Sequence, residues 1–246
     1  MTLRQAQGDR DADLAAAIAA EAGQLLLDVR GRASGHDVGA EGDRLANALI
    51  LARLAEARPD DAVLSEERVC DGARLSASRV WIVDPLDGTR EFSEGRDDWA
   101  VHVGLAVDGV AVAGAVALPA LAQLFASNGG LERPLPNAPP RIVVSRTRPP
   151  AAALRVAEAI RATLISMGSA GAKAMAVVRG DAEIYLHSGG QHEWDNCAPV
   201  AVALAHGLHC SRLDGSALRY NAADPYLPDL LICDPALATE ILALLR

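Results

Sequence analysis

The stretch Trp81-Ile82-Val83-Asp84-Pro85-Leu86-Asp87-Gly88-Thr89 sets two carboxylates three residues apart at the end of an apolar run. The run reads as the last part of a buried strand. Pro85 cannot donate a ladder bond, so the strand is expected to stop there and turn. Asp84 and Asp87 are then held close, and their repulsion is costly unless a cation offsets it. Hard divalent cations prefer oxygen ligands of this kind. Gly88 permits a tight turn and close approach of a ligand. If a turn or helix begins there, the N–H groups of Gly88 and Thr89 seat an anion beside the metal, with the Thr89 hydroxyl at hand. The competing reading is an acid-rich turn after a strand, since Asp-Gly pairs are common in turns.

Further candidate groups lie elsewhere in the chain. Ser65-Glu66-Glu67 follows a short apolar run, and acids are depleted in strands, so Glu66 and Glu67 mark either a solvated turn or a site. Asp43 stands where a second helix is expected to open and is a good N-cap residue. Asp195, in Glu193-Trp194-Asp195-Asn196-Cys197-Ala198-Pro199, precedes an Ala- and Val-rich helix as either a cap or a metal ligand on its rim. Lys173 is the single lysine among 23 Lys and Arg residues, a point charge suited to a phosphate or a solvated helix residue. Ser145 and Ser169 sit near loop ends, as hydroxyl ligands or as caps.

These groups need a scaffold. Residues 1–10 read as a frayed leader and 11–30 as a helix, acidic at its start and ending at Arg30. A loop over Gly31–Gly42 leads to a helix from Asp43 to the residue before Pro59. A strand at 61–64, a loop at 68–78 and the strand into Asp84 follow. Residues 99–107 and 110–118 flank Asp108-Gly109, a strong hairpin signal. A strand at Leu121–Ala126 precedes a Gly- and Pro-rich linker over 127–140. The order then alternates: strand Arg141–Ser145, helix Pro149–Arg161, strand Thr163–Ser166, helix Gly171–Gly180, strand Ala182–His187, a loop, helix Asp195–His206, strands Leu208–Cys210 and Leu230–Cys233, and a last helix from Pro235.

The bulk properties bound the function. The 246 residues suffice for one large domain or two small ones. Aromatics make up 3%, so the core must come from Ala, Val, Leu and Ile. A net charge of −9 argues against nucleic acid or an anionic membrane as partner, but not against a small anion held through cations. The four cysteines (Cys70, Cys197, Cys210, Cys233) have no metal or redox spacing and read as free thiols. With neither a signal peptide nor a long apolar span, a cytoplasmic location is expected.

Taken together, S-E-E, D-P-L-D-G-T, W-D-N-C-A-P and an upstream Asp resemble the lithium-sensitive, Mg2+-dependent phosphatase superfamily of the inositol monophosphatases. The resemblance runs from Leu14 to about Cys233. It is nearest the 3'(2'),5'-bisphosphate nucleotidase branch, linked to sulfate assimilation, through Leu64-Ser65-Glu66-Glu67, Thr89-Arg90-Glu91-Phe92, Val144-Ser145-Arg146 and Gly168-Ser169-Ala170-Gly171-Ala172-Lys173. It implies an α+β fold, a layered αβαβα sandwich in two halves: residues 1–133 with most metal ligands, and 134–246 supplying Asp195 and the substrate pocket. Glu66, Asp84, the Leu86 carbonyl, Asp87 and Asp195 would ligate two or three Mg2+ ions, with Asp84 bridging two. Asp43 and Thr89 would orient the attacking water, with Glu67 in support. The N–H groups of Gly88 and Thr89 would hold the scissile phosphate, and Ser145, Ser169, Lys173 and Asp195 would face substrate. His187 and His192, flanking Gly189-Gly190, are weaker candidates for sugar or base contacts.

The implied reaction takes the 3'-phosphate from 3'-phosphoadenosine 5'-phosphate, or its sulfated form, leaving AMP or the 5'-phosphosulfate. The alternatives are inositol 1-phosphate or fructose 1,6-bisphosphate as substrate, and a non-catalytic regulator; the complete ligand set argues against the last. A homodimer is carried over from relatives. The chain departs from the family pattern at His36–Asp43, which lacks the Lys and Val-Thr pair that precede the upstream Asp in many relatives. Lid behaviour and metal count stay open there.

Overall fold

A computed structural model describes residues 3–32, 38–68, 72–130 and 139–246, without the side chains of 3–6. The chain runs α1 (Leu3–Arg32), α2 (Val38–Ala57), β1 (Ala62–Ser65), β2 (Arg79–Asp87), α3 (Thr89–Ser93), β3 (Ala100–Val107), β4 (Val110–Leu118) and β5 (Gln123–Ala126). It continues with β6 (Arg141–Ser145), α4 (Ala151–Ala159), β7 (Thr163–Met167), α5 (Ala170–Arg179), β8 (Ile184–His192), α6 (Glu193–Ala205), β9 (His209–Ser211), β10 (Tyr226–Cys233) and α7 (Pro235–Leu245). One sheet has the order β1-β2-β3-β4-β5, and the other β7-β6-β8-β10-β9.

The period of two along β2 assigns its faces. Trp81 and Val83 pack with Ala15, Ala22, Leu26 and Ile50 of α1 and α2. Val80 and Ile82 point the other way, into a cluster with Met175 and Val177 of α5, Ala198 and Val202 of α6, and Tyr185 and Leu230 of the second sheet. The far face of that sheet, through Ile142, Ile184 and Leu231, buries Val156 of α4 and Ile241 of α7. The layers are therefore helices, sheet, helices, sheet, helices, as the family resemblance implies. The 133/134 division falls outside the described residues.

Several local expectations need correction. The leader is helical from Leu3, and α2 begins at Val38, five residues ahead of Asp43. Residues 33–37 of the expected loop lie outside the described residues, Gly31 is in α1, and Gly39 and Gly42 serve close packing inside α2. A Cβ on Gly39 would sit 2.5 Å from Ser93 Oγ and 2.7 Å from Thr89 Cγ2, and one on Gly42 would sit 2.9 Å from Leu26 Cδ2. Asp43 is thus an interior, buried residue of α2 and not its cap. Pro85 does not end β2. The ladder with β3 instead shifts register between Asp84 and Asp87, and a proline is tolerated in such a bulge. The expected loop after His187 is a continuation of β8, paired with β10 as far as His192. Before β5, Pro119–Leu121 forms a 3-10 turn. The hairpin holds: Asp108 and Gly109 both have positive φ, 51° and 75°, as a type I′ turn requires.

Candidate metal centre

The bulge in β2 releases the backbone between Asp84 and Asp87. The Leu86 N–H turns back onto Asp84 Oδ1 at 3.1 Å. Asp84 lies opposite His102 of β3 and is 1% exposed. Asp87 reaches toward α5, where Oδ1 accepts from the Ala170 N–H at 3.1 Å and Oδ2 from the Gly171 N–H at 2.6 Å. Asp195 is not the cap of α6. It occupies the third helical position, and its Oδ2 accepts from the N–H of the cap residue, His192, at 2.6 Å. Carboxylate oxygens of Asp84 and Asp87 from β2 and of Asp195 from α6 all lie within 4.8 Å of one another. Glu66 directly follows β1, outside that triangle; part of the residue meets solvent, but its carboxyl is turned inward, in hydrogen-bonding reach of Asp84.

The electrostatics of this cluster are uneven. Burial, then the charges of Asp87, Glu66, Asp195 and Asp43, push Asp84 well above the ordinary carboxylate range. Burial and the Asp87 charge raise Asp195 to about 7. Burial and the charges of Glu67 and Glu66 raise Asp43 to about 7, against the Thr89 hydrogen bond. Glu66 is raised chiefly by burial. Asp87 alone is lowered: burial opposes its charge, but His102, the Gly171 N–H and Lys173 outweigh it. In addition, Asp43 Oδ1 is buried without a hydrogen-bond partner. An all-oxygen donor set with unneutralised acids and an orphaned carboxylate oxygen fits a hard divalent cation.

Around the acids, Gly88 adopts φ 92°, ψ 43° and turns the chain into α3, with Thr89 as its first residue. The first N–H groups of a helix have no acceptor within it. A Cβ on Gly88 would lie 3.0 Å from Ser169 Cβ and 3.3 Å from Trp99 Cβ, so glycine keeps this corner open. Thr89 Oγ1 donates to the Leu86 carbonyl at 3.1 Å, with Asp43 Oδ2 farther off at 3.5 Å. Asp43 and Thr89 are therefore brought together, but the hydroxyl is shared with the carbonyl expected to ligate metal.

The second-half candidates behave differently. Ser169 caps α5, accepting from the Ala172 N–H at 2.9 Å. Ser145 accepts from the Arg148 N–H at 3.3 Å within its own turn. Lys173 is 4% exposed, so it is neither a solvated helix residue nor an open cation. Its Nζ donates to the carbonyls of Gly168 and of Ser169, the latter at 2.7 Å, and lies 5.5 Å from the Tyr185 ring. His187 is lowered to about 4 by burial, and its Nε2–H donates to the Gly189 carbonyl at 2.9 Å. His192 stacks on Trp194, 4.7 Å between ring centres, with Tyr226 edge-on at 5.9 Å.

Sequence reasoning gave no place in the site to four residues, Glu91, Asp98, Arg146 and His102. Arg146 binds Asp98 Oδ2 and, at 3.3 Å, Glu91 Oε1. The same Asp98 oxygen accepts from the Gly168 N–H at 2.6 Å, and the Asp98 carbonyl accepts from the Ser169 N–H at 3.2 Å. Glu91 and Arg146, quoted above as marks of a branch, thus belong with Asp98 to a clamp that pins the 168–170 loop beside Gly88. The fourth, His102, lies in what reads as an ordinary apolar strand; it is fully buried, 3.2 Å from Asp87 Oδ2.

Comparison with known proteins agrees with this geometry. The chain is 51% identical over 254 residues to the 3'-phosphoadenosine 5'-phosphate phosphatase of Mycobacterium leprae, covering 96% of this chain and 93% of the relative. The crystal structure of inositol monophosphatase II from Staphylococcus aureus superposes with a TM-score of 0.80 at 22% identity, over 93% of this chain and 92% of that one. CysQ from Bacteroides thetaiotaomicron, a bacterial member of the inositol monophosphatase family, gives 0.76 at 28% identity, over 92% and 97%. The model of the inositol monophosphatase family matches residues 9–246, and the chain belongs to that family.

Proposed function

We propose that this protein is a Mg2+-dependent phosphatase that hydrolyses the 3'-phosphate of 3'-phosphoadenosine 5'-phosphate to give AMP and inorganic phosphate. The convergence of Asp84, Asp87 and Asp195 within 4.8 Å carries the reading. The name of the M. leprae relative, half-identical along nearly the whole chain, supports the substrate. Glu66, Asp84, the Leu86 carbonyl, Asp87 and Asp195 hold the cations. When bound, these neutralise phosphate charge and acidify a water, the main requirements of a reaction that is extremely slow unaided.

The chain's own groups do the rest. The N–H groups of Gly88 and Thr89 grip the non-bridging oxygens. Asp43 and the Thr89 hydroxyl orient the water for in-line attack at phosphorus, and Thr89 Oγ1 rotates from the Leu86 carbonyl toward Asp43 to do so. The P–O3' bond breaks, and the released 3'-oxygen takes up a proton. Ser145, Ser169 and Lys173 shape the substrate side from behind the loop. The sulfated nucleotide is a second substrate in the same reading, together with a role in sulfate assimilation, Li+ inhibition, a cytoplasmic homodimer and division into halves at 133/134. Among the described residues no helix is long and apolar enough to cross a membrane.

Phosphate release is the test, with 3'-phosphoadenosine 5'-phosphate, inositol 1-phosphate and fructose 1,6-bisphosphate compared with and without Mg2+. The adenosine bisphosphate is expected to give the highest kcat/KM, abolished by chelation. A higher value on inositol phosphate would transfer the assignment to that substrate. No turnover on any ester would leave a binding protein.

A further inference from the structure

Among the described residues, His102 is the one histidine with no exposed surface. The next residue on its face of β3, Ala100, is apolar core, so packing alone gives no reason for an imidazole. The ring instead spans two elements from different parts of the chain. Nδ1 lies 3.0 Å from the carbonyl oxygen of Trp194, in the first turn of α6 and one residue before Asp195. A carbonyl can only accept, so Nδ1 carries the hydrogen. Nε2 lies 3.2 Å from Asp87 Oδ2, close in distance but off the line of an ideal hydrogen bond. Space for the ring is made by Gly171, where any Cβ would overlap Nε2. The N–H of that glycine holds the same Asp87 oxygen at 2.6 Å.

We propose that His102 is a positioning residue for the metal centre: a strut that fixes Asp87, at the exit of β2, relative to the first turn of α6, which carries Asp195. The inference rests on the metal-dependent reading above. The two carboxylates come from different elements, the end of β2 and the first turn of α6, and no covalent or ladder connection sets their separation. The imidazole touches both the Asp87 carboxylate and the backbone leading into Asp195. Groups that orient metal ligands in this way are worth about ten- to a hundredfold in metal affinity.

Two substitutions divide the strut. His102→Asn keeps an amide near the place of Nδ1 and loses the reach to Asp87, whereas His102→Gln places an amide near Nε2 and keeps it. Mg2+ affinity of the metal-stripped full-length protein is measured by calorimetry, alongside Tm without metal. His102→Asn is expected to weaken Mg2+ binding about ten- to a hundredfold, and His102→Gln to restore it to within about threefold of wild type. In the unmutated protein, Mg2+ saturation is expected to shift the 15N resonances of the His102 ring, a readout that survives if a variant fails to fold.

An unchanged Mg2+ affinity in His102→Asn would overturn the proposal. So would equal losses in both variants, or ring resonances that ignore Mg2+. Asp84→Asn separates this failure from failure of the parent reading. If wild type binds Mg2+ and Asp84→Asn does not, the metal centre stands whatever His102 does; if wild type does not bind, the centre itself falls.

Discussion

Asp84 and Asp87 sit three residues apart in one turn, yet their surroundings are opposites. Around Asp87 the protein has built a complete shell: two N–H groups from the start of α5, the His102 ring, and the Lys173 charge behind them. Around Asp84 it has built a single N–H donor, that of Leu86, and otherwise other acids. One region is ionised and fixed before any ligand arrives, and the other is left short of positive charge. A carboxylate held in place by N–H donors gives a cation a defined point of attachment. Neighbours that repel one another gain most when it binds.

The sharpest way to break this contrast is Asp84→Asn. In the proposed reading Asp84 is a direct ligand, and its removal should exceed the effect of losing a group that merely orients one, so kcat/KM should fall by more than about a hundredfold. The same change should raise the Tm of the metal-free protein near pH 8, because it deletes the buried charge most opposed by its neighbours. A drop in that Tm would show that Asp84 is already satisfied without metal.

Next in size is the stabilisation by metal itself. Mg2+ at a hundred times its Kd should add about 2.7 kcal/mol, since the unfolded chain keeps none of the clustered ligands. For a chain of this length that corresponds to a Tm increase of roughly 5–10 °C. Thermal scans with Mg2+ and with chelator measure it, and coincident curves would contradict an acid cluster short of cations.

The acids also fix the sign of the pH response. Asp43 and Asp195 are raised from 3.8 to about 7 in the folded protein. A raised carboxyl binds its proton more tightly in the folded state. The stability this gives is complete below about pH 4 and is lost as pH rises through about 7. Asp87, lowered, works the other way and loses its contribution only as pH falls below its ordinary 3.8. The metal-free protein should therefore lose Tm between pH 5 and pH 8, while Mg2+ affinity grows over the same range as protons leave the acids. Urea unfolding and calorimetry across that range test both slopes.

The same contrast explains what the sequence could convey. The acids announce themselves because two carboxylates at a strand end, or two before a turn, have few structural uses, and β2 alternates cleanly between two cores. The shell around Asp87 is silent. His102 lies in an apolar strand, and Lys173 looks like any helix residue until the fold turns it onto the Gly168 and Ser169 carbonyls. Gly39 and Gly42 misled for a related reason. Glycine marks loops when only local conformation is considered, but here it admits Thr89, Ser93 and Leu26 against a helix. Pro85 was read by its missing N–H, which a register shift makes harmless. In each case a contact distant in sequence overrode a local rule.

The smallest effect expected is at the clamp, where the two regions are held side by side. Arg146 reaches both Asp98 and Glu91, a forked geometry that a lysine ammonium cannot reproduce. Arg146→Lys keeps the charge and should retain one of the two partners. Because Arg146 is part-exposed and the loop stays tied through the N–H groups of Gly168 and Ser169, stability should fall by only about 1 kcal/mol. The functional consequence should lie in KM rather than kcat. The loop borders Gly88, the phosphate seat in the proposed reading, while Asp84 and Asp195 are anchored on other elements. A several-fold rise in KM with kcat and Mg2+ affinity kept is the expected pattern. A matching loss of Mg2+ affinity would mean that the clamp extends to Asp87 through the start of α5, and that the two regions are one mechanical unit.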